Sequence, residues 1–268
     1  MLLRSITKHV KAQNWFAVGL DFLIVVFGVG AAMLAQQWLS NEQQRADMRL
    51  AEIALQTDLR NNYYYAKERL AVSDCRIEAL QAMSNKLHEP GKDWTGMPRP
   101  PTGQDIDVFK MMAFPFVLRS PSRPWGSRNW EAGLGRGTFN QMDSERRVAF
   151  DAIFESANNN QVRQHEIYTL QGRLKPLAVT SIIGQSTRQQ YQGMLTEIDD
   201  KSFLIEIESS QIISNIEAIG IDIPVENRKK LLEGLTQDNI YGATVYGDCF
   251  VPITWPVFDK YIIDTGAQ

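Results

Sequence analysis

Residues 15–38 read WFAVGLDFLIVVFGVGAAMLAQQW, an apolar run with one charged residue. As an α-helix this run would extend about 34 Å, which matches the hydrocarbon core of a bilayer and its edges. Trp15 and Trp38 stand at its two ends, and tryptophan favours the level of the lipid headgroups. The stretch therefore predicts a transmembrane helix over residues 15–38.

A cleaved signal peptide is the main alternative for this stretch. The apolar centre ends in small residues that suit signal peptidase, Gly30, Ala31, Ala32 and Ala35. The run is long for the apolar part of a signal, however, and the helical pattern continues through the candidate cleavage site. We therefore favour an uncleaved anchor.

The residues that flank the span orient it. Residues 1–14 contain Arg4, Lys8 and Lys11 and no acidic residue, whereas acidic and basic residues are mixed after Trp38. Such spans keep their positive flank in the cytoplasm. We expect residues 1–14 to form a cytoplasmic basic head in a bacterial inner membrane and residues 39–268 to lie in the periplasm. The predicted membrane-interface anchors are Arg4, Lys8, Lys11, Trp15 and Trp38.

Four small residues and one carboxylate give the span a candidate partner-facing side, Asp21, Gly28, Ala31, Ala32 and Ala35. Gly28 and Ala32 are four residues apart, as are Ala31 and Ala35, and this spacing allows close helix packing in membranes. A carboxylate inside lipid is costly, so Asp21 either pairs with a partner subunit or lies at headgroup level. The span thus predicts contact with an integral-membrane complex or a second copy of the chain.

Apolar residues recur at steps of three and four from residue 43 to residue 88, without proline or glycine. This pattern predicts one long amphipathic helix whose charged residues, among them Glu68 and Arg69, are mostly solvated. Its apolar stripe would form a coiled coil with another chain or pack in a bundle with later helices. We favour the bundle because the remaining residues need a core.

The rest of the chain predicts further helices separated by loops. Residues 89–140 are rich in proline and glycine, with a G-x-G-x-G run at Gly133, Gly135 and Gly137 that we interpret as a turn. Helices are expected over residues 145–175, 187–219 and 224–235, and an extended C-terminal strap over residues 239–268. The predicted fold is all-α: a transmembrane helix continuing into a long helix that packs in a periplasmic bundle, closed by the strap.

Composition limits the function classes. The chain has 268 residues and a net charge of −3, so no global charge favours nucleic acid. Its two cysteines, Cys75 and Cys249, lack metal-ligand spacing and lie on the same predicted side of the membrane. We therefore predict a Cys75–Cys249 disulfide that fastens the strap to the long helix.

Two segments carry a resemblance to a known family. The anchor FLIVVFGVGAAMLAQQW followed by LAEIALQTDL, and later WEAGLGRGTFNQM leading into a helix, resembles an uncharacterised family of bacterial single-pass inner-membrane proteins with a helical periplasmic domain. The resemblance implies topology and location. It transfers no catalytic residue, because the family has no agreed activity.

No motif in the sequence indicates a catalytic site or a cofactor-binding site. The three histidines His9, His88 and His165 lack the partners of a zinc site, and no nucleophile elbow is present. We expect no metal or other cofactor. The favoured hypothesis is a non-enzymatic accessory or scaffold subunit of an inner-membrane complex, with a periplasmic ligand-sensing protein as the alternative and an envelope enzyme as the third.

Overall fold

The computed structural model describes residues 15–91, 93–97, 118, 120–220 and 225–255, and the described part is mostly helical. Its chain divides into two compact units, Met1–Glu52 and Ile53–Gln268. The basic head with Arg4, Lys8 and Lys11 lies outside the described residues.

The first helix, α1 (Trp15–Leu70), contains the predicted span. One window of α1 is apolar enough to cross a membrane, with a mean hydropathy of 1.8, and 0% of that window is buried within the protein. Large apolar side chains here are exposed, for example Phe22, Phe27, Leu34 and Trp38. By length and composition, this helix fits a lipid environment rather than a core.

The predicted single helix over residues 43–88 is wrong, because the structure ends α1 at Leu70 and begins α2 at Ser73 (Ser73–His88). Ser73 Oγ donates a hydrogen bond to the Leu70 carbonyl at 3.0 Å. The Val251 amide, far along the chain, donates to the Ala71 carbonyl at 2.9 Å. These carbonyls are thus satisfied outside the helical ladder, which allows a break without proline or glycine.

The apolar stripe of α1 is buried from Leu55 onward, since Leu55, Leu59 and Ala66 have 0% exposure. Two later helices also bury apolar side chains. These are α4 (Ser144–Leu174), with buried Phe150, Ile153, Phe154 and Leu170, and α5 (Gln185–Ile219), with buried Leu195, Ile198, Ile205, Ile212 and Ile216. Helix α5 packs against α4 and α2, and its Glu217 accepts a hydrogen bond from Tyr63 of α1 at 2.6 Å.

Local signals explain where α4 and α5 begin and end. Asp143 caps α4 by accepting hydrogen bonds from the Glu145 and Arg146 amides at 3.0 and 3.2 Å. Gly220 ends α5 with a positive φ of 76°, a conformation that glycine adopts at little cost. The bounds differ from those predicted for these two helices by one or two residues.

The region predicted to be loop-rich, residues 89–140, contains regular elements as well. A two-residue antiparallel ladder pairs β1 (Asp93–Trp94) with β2 (Ser181–Ile182). A short helix, α3 (Arg128–Gly135), leads through Gly137 at φ 69° into a 3-10 helix, Thr138–Gln141. Only Gly137 serves as a turn glycine, while Gly133 lies in α3 against the Phe139 ring. The turn expected over all three glycines is therefore confined to its last residue.

The Trp130 ring explains why a glycine-rich segment forms α3. Trp130 stacks between Phe139 and Phe154, with ring centroids 4.7 and 5.6 Å away. Its indole Nε1 donates to Asp151 at 3.0 Å. This aromatic cluster fixes α3 and the following turn onto α4. Its packing stabilises a helix that the glycine-rich sequence would not favour by itself.

The predicted extended strap begins too early. Helix α6 runs over Val225–Tyr246, so residues 239–246 are helical, and a 3-10 helix, Gly247–Cys249, follows. Thr244 Oγ1 donates back to the Ile240 carbonyl at 2.8 Å, and Gly242 packs against the Phe250 ring. These contacts override the strand preference of the Val- and Tyr-rich sequence. Residues Phe250–Trp255 have no regular secondary structure, and residues 256–268 lie outside the described part.

Two glycines of α6 provide a matched test of this packing. A Cβ at Gly242 would overlap the Phe250 ring, whereas a Cβ at Gly234 meets nothing within 4 Å. We expect Gly242→Ala to lower the free energy of unfolding by about 1–3 kcal/mol through overpacking. Gly234→Ala should raise it by about 0.5–1 kcal/mol, because alanine favours the helix. Urea unfolding followed by circular dichroism measures both, and equal shifts would contradict the proposed contact.

Candidate functional site

The predicted disulfide is confirmed: Cys75 on α2 is bonded to Cys249 after α6, with their Cα atoms 5.2 Å apart and a sequence separation of 174. A small apolar cluster lies beside it, formed by Ala71, Val72, Phe250 and Ile253. The bond therefore joins the break between α1 and α2 to the end of α6.

The segment Phe250–Trp255, called the C-terminal segment below, is held by specific contacts. Asn239 of α6 pairs with Ile253 through both amide atoms, accepting from the Ile253 amide at 2.8 Å and donating to its carbonyl at 3.0 Å. The Trp255 ring stacks on Tyr63 of α1 with centroids 4.9 Å apart. The segment thus bridges α6 and α1.

A cleft opens between α1 and α6 next to this segment. Its volume is about 410 Å³, within the range of small-molecule sites. Trp255 of the C-terminal segment contributes to its lining. The walls are formed by Thr57, Arg60, Asn61 and Tyr64 of α1 and by Lys230, Leu231, Gly234, Leu235 and Asp238 of α6. Two helices and the disulfide-linked segment therefore build one concave surface.

Asp238 and Tyr64 form the polar contact across the cleft. The Tyr64 hydroxyl donates a hydrogen bond to the Asp238 carboxylate. Burial raises the pKa of Asp238, while Arg123 and this hydrogen bond act against the rise. Burial is also the main reason why the pKa of Tyr64 is raised, with Glu68 and Asp238 adding to it. Both groups are thus partly removed from water.

A partly buried ion pair lies beside Tyr64, which lines the cleft. Arg123 donates two hydrogen bonds to Glu68, from Nε and Nη2, each at 2.6 Å. Hydrogen bonding to Glu68 is the main reason why the pKa of Arg123 is raised. The Arg123 guanidinium lies 5.9 Å from the centre of the Tyr64 ring. An arginine of the Pro- and Gly-rich segment therefore fixes that segment onto α1.

A second group of charges lies inside the helical core. Glu206 of α5 accepts from Arg76 Nε at 3.0 Å and stands 4.0 Å from Arg69 Nε. Arg76 also donates to Asp199 at 3.1 Å. Burial lowers the pKa of Arg69 to about 10. The expectation that Glu68 and Arg69 are solvated is wrong, since only 2% and 3% of them are exposed.

The residues predicted to face a membrane partner lie along one helix. Asp21, Gly28, Ala31, Ala32 and Ala35 are all exposed within the chain. Trp38 is exposed too, while for Trp15 only the backbone at the start of α1 is described. These positions therefore stay predicted contacts with lipid or another protein.

Histidine and acidic residues do not assemble into a metal centre in the part of the chain that the structure describes. His88 Nδ1 is hydrogen-bonded with the Ser84 carbonyl of its own helix at 2.8 Å. No protein-family model, curated protein or solved structure matches this chain. The cleft was not foreseen from the sequence, because Tyr64 and Asp238 are 174 positions apart and belong to no motif.

The disulfide makes stability depend on reductant. Reduction should lower the free energy of unfolding by about 2–5 kcal/mol, because the unfolded chain gains freedom. The Cys75→Ser, Cys249→Ser double variant is the control, and reductant should leave its unfolding curve unchanged. Thiol counting in denaturant without reductant should find no free thiol, and two free thiols would contradict the bond.

The buried charges make Glu206 sensitive to substitution. Glu206→Gln leaves buried Arg69 without its carboxylate and Arg76 with only the more exposed Asp199, and we expect a loss of about 3–5 kcal/mol in the free energy of unfolding. Glu166→Gln removes a surface carboxylate that pairs with Lys201 at 2.7 Å and should have no measurable effect. Urea unfolding at pH 7 compares the two. A small loss for Glu206→Gln would mean that water compensates the arginines.

Proposed function

We propose that the protein is a non-enzymatic accessory or scaffold subunit of a bacterial inner-membrane complex, anchored by a single span. The observation that carries the proposal is α1, whose apolar window is unburied and continues as one helix into a folded helical unit. An apolar face of this size in water would promote aggregation, whereas lipid or a membrane partner would cover it.

The disulfide and the charge pattern together support the orientation. Disulfides persist in oxidising compartments such as the periplasm, and both cysteines follow the span in sequence. Arg4, Lys8 and Lys11 precede the span, as in proteins whose N-terminus is cytoplasmic. We therefore place residues 1–14 in the cytoplasm and the helical unit in the periplasm, as in the uncharacterised single-pass family that the sequence resembles.

The small-residue side of the span is our proposed contact with the partner. Gly28 and Ala32 permit close approach of another helix, and Asp21 offers a carboxylate for a polar partner. The structure is compatible with this role because these positions are exposed. The partner is an integral-membrane subunit or a second copy of the chain.

A ligand-sensing protein is the second candidate, and the cleft between α1 and α6 favours it. The cleft combines aromatic, apolar and charged residues in a volume of about 410 Å³. Sensing would require that binding at this site be transmitted to another protein. The two candidates differ in whether a ligand is needed for function.

The orientation predicts opposite labelling of two introduced cysteines. Ser5→Cys lies before the span and Ser40→Cys after it. A membrane-impermeant maleimide applied to spheroplasts should label the Ser40→Cys variant and leave the Ser5→Cys variant unlabelled until the membrane is opened. Wild-type protein, whose two cysteines are bonded, is the blank. The reverse pattern would overturn the proposed topology.

The partner-facing side predicts loss of a complex on substitution. Asp21→Leu combined with Ala32→Leu should abolish co-purification of a stoichiometric membrane partner after mild detergent extraction. Leu23→Phe is the matched control, because nine residues, or about two and a half turns, place Leu23 on the side opposite Ala32. If the double variant retains the partner, the span is only an anchor.

A further inference from the structure

The cleft between α1 and α6 has a lining that selects for one kind of molecule. Its inner surface is formed by the Tyr64 and Trp255 rings together with Leu231 and Leu235. Trp255 is only 6% exposed and stacks on Tyr63, so the ring is fixed before any ligand arrives. Such a preformed surface suits a flat or apolar body.

Two cations stand on the walls of the cleft, one on each helix. Arg60 projects from α1, where Nη2 donates to Thr57 at 3.0 Å, and Lys230 is exposed on α6. Asp58, the acidic neighbour of Arg60, accepts a hydrogen bond from Asn129 at 2.9 Å and is not part of the lining. An anionic group between the helices would therefore meet two positive charges.

The one carboxylate of the lining is Asp238. It accepts a hydrogen bond from Tyr64 and is near Arg123, so its negative charge is partly compensated inside the protein. The remaining charges of the lining are Arg60 and Lys230, and the balance is positive. We propose that this cleft binds small organic anions that carry an apolar, preferably aromatic, body.

The proposal rests on the cleft alone and stands whether or not the protein joins a membrane complex. A larger recess of about 660 Å³ near the end of α2 is a poorer candidate. Its arginine, Arg188, donates to the main-chain carbonyls of Asp93, Ile183 and Lys86 at 2.9, 3.3 and 3.3 Å. The Arg188 side chain thus joins α2 to the segments that contain Asp93 and Ile183, and its donors are used within the protein rather than being available to a ligand.

A matched set of probes tests both parts of the inference. Naphthalene-1-sulfonate, 1-naphthalenemethanol and 1-naphthylmethylammonium share one ring system and differ in charge. We expect the full chain in zwitterionic nanodiscs to bind the sulfonate at least fivefold more tightly than the alcohol, and the ammonium most weakly. Isothermal titration calorimetry measures this, with empty nanodiscs as the blank.

Two glycine variants locate the binding. Gly234 lines the cleft and Gly193 of α5 does not, while both lie in helices with nothing within 4 Å of an added Cβ. Gly234→Phe should fill the cleft and weaken sulfonate binding at least tenfold. Gly193→Phe should leave binding unchanged. Circular dichroism confirms that both variants keep their helix content.

Charge variants test the recognition of the anion independently. The Arg60→Gln, Lys230→Gln double variant should weaken sulfonate binding about fivefold and leave alcohol binding unchanged. Asp238→Asn keeps the acceptor for Tyr64 and removes a negative charge, so it should tighten sulfonate binding about threefold. Equal affinity for alcohol and sulfonate, equal effects of the two glycine variants, or no sulfonate binding at all would overturn the proposal.

Discussion

The hydrogen bond from the Val251 amide to the Ala71 carbonyl joins the end of the described chain to the point where α1 gives way to α2. At this point α1 ends and α2 begins, so Arg69 and Arg76 lie on two helices, and both pair with Glu206. The same contact brings the C-terminal segment beside α1. The disulfide, the buried charges and the cleft therefore all depend on how these two distant pieces of backbone meet.

The charges inside the core cost free energy and restrict the packing. Removing arginines from water is expensive, and an apolar core of similar volume would often be as stable. Glu206 can serve Arg76 and Arg69 only when α5 lies at one position along α1 and α2. A shift by one helical turn would leave buried charges without a partner. We infer that this network selects one helical register rather than adding stability.

The features that follow from short-range patterns could be predicted from the sequence. The burial of Leu55 and Leu59 follows from helical spacing, and the membrane-compatible helix follows from length and hydropathy. The Cys75–Cys249 bond followed from counting, because only one pairing exists. Each of these needs information from one stretch of chain or from composition.

The features that depend on distant partners could not be predicted. At the break after Leu70, the Ala71 carbonyl accepts a hydrogen bond from the Val251 amide. In the last turns of α6, Gly242 packs against the Phe250 ring. Glu68 reads as a solvated residue of an amphipathic helix until Arg123, 55 residues later, is placed beside it. The cleft also depends on distant partners, since Tyr64 and Asp238 come together only in the folded chain.

The disulfide also bears on the order of biogenesis. Cys249 lies 174 residues after Cys75, so in an exported chain nearly the whole helical unit must cross the membrane before the bond can form. Because the chain has two cysteines, no wrong intramolecular pairing is available in the interval. On the topology proposed above, oxidation is therefore a late step, and the bonded form marks a chain whose helical unit has crossed the membrane.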